Sequence, residues 1–296
     1  MQKQVIFTGI ATALVTPLTE AGVDYDRLGR LIDWQIDQGI DALVICGTTG
    51  ESSTLTDKEH RDVIAYAAKR IHGRVPMIAG TGSNDTAYAI SLTRFAKEAG
   101  ADGALLVTPY YNKATQNGLV KHFTAIADAG DLPCLLYNVP SRTGVTIEPA
   151  TYEKLADHPN IVGIKEASGN IAKAVDTMSR VQGRLALYSG NDGEIVPLMA
   201  LGGLGCISVL SNLLPAETHE IAARFLRGDI ADSAALQFRY RPLIDALFSE
   251  VNPIPVKAAM AAMGFCENYV RAPLTEMEPD KKEVLLALMR KEGLQV

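Results

Sequence analysis

The feature that most constrains the fold is an eightfold alternation between short apolar runs and amphipathic segments. The apolar runs begin at Gly9, Ala42, Val75, Gly103, Pro133, Ile161, Leu185 and Gly205. Alternating strands and helices predict a parallel sheet covered by helices, and eight repeats predict a closed (β/α)8 TIM barrel. An open doubly wound sheet is the alternative, but no GxGxxG motif follows the first run.

The segments between the runs have the spacing of amphipathic helices, as Leu28, Leu31, Ile32 and Ile36 illustrate in the first of them. Helices are therefore predicted over residues 26–39, 57–71, 85–99, 115–129, 147–156, 171–181, 194–201 and 215–226. After Arg227 the alternation stops, and three more helices are predicted over residues 231–248, 254–263 and 280–292. Since no linker-like tract intervenes, we expect a barrel over residues 1–227 and a C-terminal helical extension, 228–296, packed on it.

Composition excludes several classes of function. A net charge of -6 gives no electrostatic footprint for nucleic acid. No apolar run reaches the ~18 residues of a membrane span. The apolar segment near the N-terminus is too short for a signal peptide, so a cytoplasmic protein is expected. The four cysteines and five histidines are scattered without CxxC or HExxH spacing, which predicts no metal site.

A lysine interrupts the sixth apolar run, NIVGIKEASG, over residues 160–169. Strict alternation along a strand predicts that Lys165 shares a face with Ile161 and Gly163. Val162 and Ile164 are then expected on the opposite face. Because an ammonium is costly to bury unless it is paired or neutralised, such a lysine can act as an amine nucleophile. The alternative is a strand-end lysine whose side chain extends to water.

Polar residues gather where four of the predicted strands end, which is where active sites form in such barrels. They occupy residues 47–51, 108–112, 137–144 and 189–192. Thr48 and Thr49, flanked by glycines, suit a carboxylate, although a tight turn with a helix cap would use the same residues. Tyr137 could move protons or belong to the core, and Arg142 could pair with a carboxylate or be solvated.

Six motifs occur in order along nearly the whole chain: GTTGES from Gly47, TPYYN from Thr108, YNVPSRTG from Tyr137, GIKEASG from Gly163, SGND from Ser189 and NPIPVKAAMAAMG from Asn252. Together they resemble the dihydrodipicolinate synthases, within the pyruvate-dependent class I aldolase and N-acetylneuraminate lyase superfamily. The resemblance implies condensation of pyruvate with L-aspartate 4-semialdehyde to 4-hydroxy-tetrahydrodipicolinate in lysine and diaminopimelate biosynthesis. It implies no metal or organic cofactor and a homotetramer built as a dimer of dimers.

The resemblance also implies roles for individual residues. Lys165 would form a Schiff base with the pyruvate ketone, and the protonated imine would act as an electron sink. Tyr137 would serve as general acid and base, coupled through Thr48 to Tyr111. Tyr111 would reach into the active site of a partner subunit.

Four more residues are implied to bind substrates. Thr49, with its backbone N–H, would hold the pyruvate carboxylate, and Arg142 would recognise the carboxylate of the semialdehyde. Gly190 and Ile207 match positions that line the pyruvate pocket, largely through backbone.

In lysine-inhibited relatives the inhibitor sits near the GTTGE helix, and the matching positions here are Ser52, Ser53, Asp57, His60, Asn84, Tyr88 and Tyr110. His60, Asn84 and Tyr110 fit the inhibited pattern. Asp57 and Tyr88 depart from it, because inhibited members usually carry histidine and glutamate there. The alternative is that Asp57 supplies a replacement charge for the missing glutamate. From the departures at Asp57 and Tyr88 we expect weak or absent feedback inhibition by L-lysine.

Other functions remain open at this point. N-acetylneuraminate lyases and 2-keto-3-deoxy sugar-acid aldolases share the lysine and the tyrosine, although Thr48, Thr49 and residues 141–143 favour the synthase. A pyridoxal-phosphate barrel enzyme could use Lys165 with a phosphate site at residues 202–205. An inactive binding protein is disfavoured by retention of Lys165, Tyr137 and Arg142.

Overall fold

A computed structural model describes residues 3–296 of the chain. Eight parallel strands close into a barrel in which each strand pairs with its neighbours in sequence and the first pairs with the last. The strands, numbered β1 to β8 in chain order, are Gly9–Ala13, Ala42–Ile45, Met77–Gly80, Gly103–Val107, Cys134–Asn138, Ile161–Glu166, Ala186–Ser189 and Gly205–Ser208. Each strand lies within one of the eight apolar runs, so the predicted closed barrel is confirmed.

Eight helices, α1 to α8, surround the barrel: Tyr25–Asp37, Asp57–Ile71, Thr86–Ala99, Gln116–Gly130, Pro149–Leu155, Ile171–Val181, Ile195–Met199 and Pro215–Leu226. Three more, α9 to α11, follow: Ile230–Leu247, Ile254–Ala262 and Pro279–Lys291. The predicted helix ends lie within two residues of these bounds. Capping explains part of this agreement, since the Thr56 and Glu59 side chains form a capping box at the start of α2.

Some short elements escaped prediction. They are a hairpin of Leu18–Thr19 with Gly22–Val23, a four-residue helix at Pro140–Thr143, and single 3₁₀ turns at Asp192–Glu194 and Leu210–Asn212. All of them are too short to show a hydrophobic period.

The core has two layers, one inside the barrel and one between the barrel and its helices. Val44, Leu105 and Tyr137 belong to the inner layer. Leu43 and Leu106 pack outward against the helices. Because both faces of each strand are covered, the strands read as continuous apolar runs rather than as alternating patterns.

Strand β6 departs from strict alternation, and the prediction that Lys165 shares a face with Ile161 is wrong. Ile161 packs in the outer layer, whereas Val162 lies in the inner layer. The pairing of β5 with β6 shifts at Cys134, so that one extra residue of β6 is accommodated before Gly163. Such a bulge re-aims the residues that follow it, and Lys165 consequently lies over the ring of Tyr137, an inner-layer residue.

The C-terminal helices share the outer core layer of the barrel. Leu243 of α9, Met260 of α10 and Leu285 of α11 belong to the same buried cluster as the barrel helices. Gln237 of α9 also accepts a 2.8 Å hydrogen bond from the backbone N–H of Val196 in α7. The division of the chain at residue 227 into two domains stays a prediction. No helix within residues 3–296 combines the length and hydropathy of a membrane span.

Candidate active site

Lys165 and Tyr137 face each other at the carboxyl ends of adjacent strands. They are register partners on β6 and β5, and the Lys165 Nζ lies 4.2 Å from the centroid of the Tyr137 ring. Both side chains are buried, with 6% of Lys165 and 6% of Tyr137 exposed. Within residues 3–296, no carboxylate forms an ion pair with Lys165. The lysine amine therefore lies beside a phenol and is not engaged in an ion pair.

Behind this pair, Asn138 and Glu166 fix the register of the two strands. The Asn138 amide donates to both carboxylate oxygens of Glu166, at 3.2 and 3.0 Å, and all three atoms are buried. The same carboxylate accepts a 2.6 Å hydrogen bond from the backbone N–H of Ser168. Because Asn138 and Glu166 follow Tyr137 and Lys165 directly in sequence, this cross-strand contact holds the two reactive side chains side by side.

Gly190 follows β7 and lies against the lysine stem. A Cβ at this position would be 3.1 Å from Lys165 Cε and 2.7 Å from the Cβ of Ala167. The contact with Ala167 is too short for any side chain, so Ala167, with the lysine stem nearby, explains why a glycine is present. Ile207 of β8 is fully buried in the inner core layer with Tyr137. The two predicted pocket residues thus lie on the strands that follow β6.

Asp192, which prediction did not single out, is a buried carboxyl group near Lys165. Its Oδ2 accepts hydrogen bonds from the backbone N–H groups of Val209 and Leu210, at 3.0 and 3.1 Å, and its Oδ1 has no partner. Burial raises the pKa of Asp192 above its ordinary value, while these hydrogen bonds and the Lys165 charge oppose the rise. The carboxyl group caps the turn that follows β8.

A cleft of about 370 Å³ opens beside this centre. Thr48, Val107, Val139, Arg142 and Thr143 form part of its lining. A smaller cavity that Thr48 shares with Tyr137 adjoins it. Thr48 and Arg142 therefore line a space that reaches toward Tyr137, whereas Thr49 contributes to the lining of neither cavity.

Arg142 is placed by a short helix, Pro140–Thr143, that follows β5. Thr143 accepts a 2.9 Å hydrogen bond from the hydroxyl of Thr108 at the end of β4, which ties this helix to the barrel. The Arg142 side chain is exposed and donates a 3.1 Å hydrogen bond to the backbone oxygen of Asn252. Its guanidinium retains further donors for a ligand.

Most of the residues predicted for regulation line the outer part of the same cleft. Ser52, Ser53, His60, Tyr88 and Tyr110 contribute to the lining. His60 Nε2 lies 2.8 Å from the backbone oxygen of Gly80, and burial lowers the pKa of His60.

Asn84 and Asp57 lie outside this lining. The Asn84 amide instead donates to the backbone oxygen of Tyr110, at 3.3 Å. The Arg61 guanidinium donates to both Asp57 oxygens, each at 3.0 Å, and holds the pKa of Asp57 below its ordinary value. Burial and the Asp57 carboxylate raise the pKa of Tyr88 to about 12. Asp57 is therefore already engaged within the chain.

Tyr111 is not brought to the site of its own chain. Its side chain is 92% exposed, and its φ of 68° lies in the left-handed region that non-glycine residues seldom adopt. A phenol held outward in this way cannot be coupled to Thr48 of the same chain. The predicted role of Tyr111 therefore requires a second subunit.

Sequence reasoning missed three residues that surround Thr49. Asn252 donates a 3.0 Å hydrogen bond to Thr49 Oγ1, and Lys257 forms a buried ion pair with Glu51. Asn252 and Lys257 belong to the motif NPIPVKAAMAAMG, whose lysine interrupts an apolar run as Lys165 does. That signal was available, but the partner lies about two hundred residues away and no local pattern names it.

The glycine-rich segment at residues 202–205 lies at the opposite end of the barrel. Gly205 is the first residue of β8, and Gly202 and Leu204 line a surface cavity with Lys3 and Ala186, the first residue of β7. Lys165 is near the carboxyl end of β6. A phosphate held by this segment could not be next to Lys165, so the pyridoxal-phosphate hypothesis loses its phosphate site.

A closed (β/α)8 barrel with a buried lysine amine beside a phenol at its carboxyl end defines the class of lysine-dependent aldolases and lyases, which act through an imine. Within that class, residues 6–292 match the model of the Dihydrodipicolinate synthetase family. The chain belongs to this family.

Individual relatives agree over nearly the full length. The 4-hydroxy-tetrahydrodipicolinate synthase of Lachnoclostridium phytofermentans is 56% identical over 98% of this chain and 99% of its own. The crystal structure of dihydrodipicolinate synthase from Aquifex aeolicus has a TM-score of 0.96 and 46% identity, and covers 98% of this chain and 99% of that one. The chloride-inhibited enzyme from Acinetobacter baumannii, solved with pyruvate, has a TM-score of 0.95 and 44% identity, covering 98% and 100%.

Proposed function

We propose that this chain condenses pyruvate with L-aspartate 4-semialdehyde to give 4-hydroxy-tetrahydrodipicolinate, a step of lysine and diaminopimelate biosynthesis. The names of its full-length relatives support this reaction. The observation that carries it is the Lys165 amine, buried, free of any ion pair within residues 3–296, and 4.2 Å from the Tyr137 ring centroid. That arrangement suits formation of an imine with a small keto acid.

The first half of the reaction takes place on Lys165. Its neutral amine attacks the C2 ketone of pyruvate, and proton transfers followed by loss of water leave a protonated imine. Tyr137 is the nearest hydroxyl-bearing side chain of the adjacent strand and serves as the acid and base for these transfers. The imine withdraws electrons from the methyl carbon, which then loses a proton and becomes an enamine.

The second half joins the two substrates. The enamine carbon attacks the aldehyde carbon of the semialdehyde, and the aldehyde oxygen takes up a proton to become the 4-hydroxyl group. The product ring contains nitrogen, so the amino group of the semialdehyde must replace the lysine nitrogen at C2. This exchange closes the ring and releases Lys165 for another turnover.

Two carboxylates must be held during these steps. Thr49 binds that of pyruvate through its hydroxyl and backbone N–H, and Arg142 binds that of the semialdehyde. Thr48 and Arg142 line one cleft, and the buried Thr49 follows Thr48 directly in sequence. Gly190 and Ile207 complete the pyruvate pocket.

A coupled assay tests this function. Purified enzyme should turn over pyruvate with aspartate semialdehyde and should not cleave N-acetylneuraminate or 2-keto-3-deoxy sugar acids. Borohydride added with pyruvate should trap one adduct, at Lys165. Efficient sugar-acid cleavage without condensation would instead assign the chain to the related aldolases.

We further propose that the enzyme is a homotetramer, a dimer of dimers in which Tyr111 completes the site of the partner subunit. Support comes from Tyr111 itself, since an exposed phenol in a strained backbone conformation is more easily explained by an interface than by solvent. Mixing Tyr111→Phe chains with Lys165→Ala chains should restore activity, because some mixed sites then contain both intact residues. Subunit-exchanged mixtures without recovery would contradict a shared site.

A further inference from the structure

A fully buried ion pair lies next to the proposed substrate loop. Lys257 Nζ is 2.7 Å from Glu51 Oε1, and the two side chains are 0% and 1% exposed. Lys257 also donates to the backbone oxygen of Tyr269 at 2.8 Å, and Glu51 Oε2 accepts from the backbone N–H of Arg271 at 3.2 Å. Burying two charges adds little net stability to the fold, even when each charge has hydrogen-bond partners. Such a pair is most useful where it imposes one geometry.

The geometry imposed here is a bend in the loop that follows β2. Glu51 lies two residues after Thr49 and has a φ of 57°, in the left-handed region. A non-glycine residue stays in that region only when its surroundings over-determine it. Lys257, from helix α10 of the C-terminal extension, supplies that constraint through the Glu51 carboxylate.

A second contact from the same extension reaches Thr49 itself. The Asn252 amide donates a 3.0 Å hydrogen bond to Thr49 Oγ1, and both residues are buried. A threonine hydroxyl has one proton and two lone pairs. Because Asn252 occupies a lone pair, the Thr49 proton remains free for another acceptor. The Asn252 backbone oxygen also accepts from Arg142, at 3.1 Å.

We propose that Asn252, Glu51 and Lys257 are positioning residues for substrate recognition. The segment at the start of α10 fixes the conformation of the loop after β2. The ion pair holds the backbone of that loop, and the Asn252 amide directs the Thr49 hydroxyl proton toward the pyruvate carboxylate. Through its backbone oxygen, Asn252 also orients Arg142. This inference rests on the proposed function for the identity of the carboxylates. It assigns the C-terminal extension a part in substrate binding.

Two substitutions of Asn252 distinguish positioning from packing. An aspartate has the shape of asparagine, but its carboxylate would accept the Thr49 hydroxyl proton and repel the substrate carboxylate. Asn252→Asp should therefore raise the half-saturating pyruvate concentration in borohydride trapping by about tenfold or more. Asn252→Ala should raise it only about threefold. If Asn252→Asp binds pyruvate as well as Asn252→Ala or better, the inference is overturned.

The ion pair is tested with Glu51→Gln, Lys257→Met and the double variant. Each single variant should raise half-saturating pyruvate about tenfold, with a smaller change in kcat. The half-saturating pyruvate concentration of the double variant should not exceed that of the more weakly binding single variant, because the two residues act as a unit. A double variant with wild-type pyruvate saturation would contradict the inference, even if the single variants fail to fold.

The matched control is the exposed pair of Lys58 and Asp62 on α2, whose side chains are 84% and 45% exposed. Lys58→Met with Asp62→Asn should leave pyruvate saturation unchanged. Trapping needs only pyruvate and Lys165. Wild-type enzyme that is trapped but does not condense the semialdehyde would therefore refute the proposed function and leave this comparison valid.

Discussion

The two ends of the barrel use polar side chains in opposite ways. At the amino-terminal end, charged and hydroxyl groups bind backbone atoms and have nothing left for a ligand. At the carboxyl-terminal end, buried polar groups keep unused hydrogen-bonding capacity. In barrels of this class the first end contributes stability and the second contributes chemistry, and the contacts here show how that division is built.

At the amino-terminal end, polar side chains are hydrogen-bonded to backbone atoms. Asp102, just before β4, accepts from the N–H of Met77 at 2.8 Å. The Tyr188 hydroxyl donates to the backbone oxygen of Phe7 at 2.6 Å, and the two rings stack with centroids 4.3 Å apart. Each of these contacts closes the barrel floor. None leaves a polar atom directed at a cavity.

At the carboxyl-terminal end the same kinds of group are left free. Lys165 has no ion-pair partner within the described chain, and Asp192 Oδ1 and Asn252 Oδ1 have no hydrogen-bond partner. Leaving such buried groups without a partner is costly, and a ligand or a water molecule can supply the missing bonds. Substitutions at the two ends should therefore separate activity from stability.

The largest effect is expected from Lys165→Ala. Loss of the nucleophile should reduce kcat by about three orders of magnitude or more. Borohydride with pyruvate should no longer label the protein. The midpoint of thermal unfolding should be equal or higher, since a buried polar group is removed. Activity retained by this variant would refute the imine mechanism.

Tyr137→Phe should have the next largest effect. Losing a general acid and base typically costs about 10²- to 10⁴-fold in rate. The ring remains, so its packing over Lys165 and the stability of the fold should change little. Steady-state kinetics and urea unfolding of one preparation measure both. A loss of stability comparable to the loss of rate would show that the hydroxyl is a core group.

The regulatory part of the cleft resembles the amino-terminal end in one respect, because its charged side chain already has a partner within the chain. Asp57 is occupied by Arg61, and Tyr88 is neutral with a pKa of about 12. Within residues 3–296, no acidic side chain lines this cleft to receive the ammonium of L-lysine. A missing charge-assisted bond weakens binding by roughly 1.5 to 3 kcal/mol, about ten- to a hundredfold. Calorimetric titration of the pyruvate-bound enzyme should therefore show weak or absent binding. Saturable binding at low micromolar lysine, with inhibition, would contradict this prediction.

Tyr188→Phe is the counterpart of Tyr137→Phe, because Tyr188 is the register partner of Lys165 on β7 but its hydroxyl donates to the backbone of Phe7, before β1. Removing the hydroxyl leaves the buried Phe7 carbonyl oxygen without its donor and should lower the free energy of unfolding by about 1 to 3 kcal/mol. The turnover number should stay within about twofold of wild type, since no proposed substrate contact is touched. A large loss of kcat with unchanged stability would break the proposed division between the ends.

Most of the fold could be predicted from sequence because it depends on local periodicity. Strand runs and helical spacing placed every barrel strand and each helix from α1 to α11. Lys165, Tyr137, Thr48 and Arg142 were recognisable because each is a polar residue at the end of an apolar run. Lys165 and Tyr137 do lie side by side on adjacent strands, and the roles of all four residues stay predictions.

What escaped prediction depends on contacts between distant residues. The β6 bulge follows from a shift in pairing with β5, which alternation within one strand cannot reveal. Asn252 and Lys257 meet the loop after β2 only once the extension has folded back over the barrel.

The smallest predicted effect is a pH dependence of stability at the amino-terminal end. His219 Nδ1 lies 2.7 Å from Asp41 Oδ2, and this hydrogen bond raises the pKa of His219, against a smaller opposing effect of burial. The stabilisation is therefore complete below the unfolded-state value of about 6.5 and is lost as pH rises through the higher folded-state pKa. The His219 side chain is 34% exposed, so solvent screening should limit the effect to about 0.5 kcal/mol. Urea unfolding of wild type and His219→Gln should differ at about pH 5.5 and converge near pH 8.5, with equal kcat at both. A difference that grows with pH would reverse the assignment.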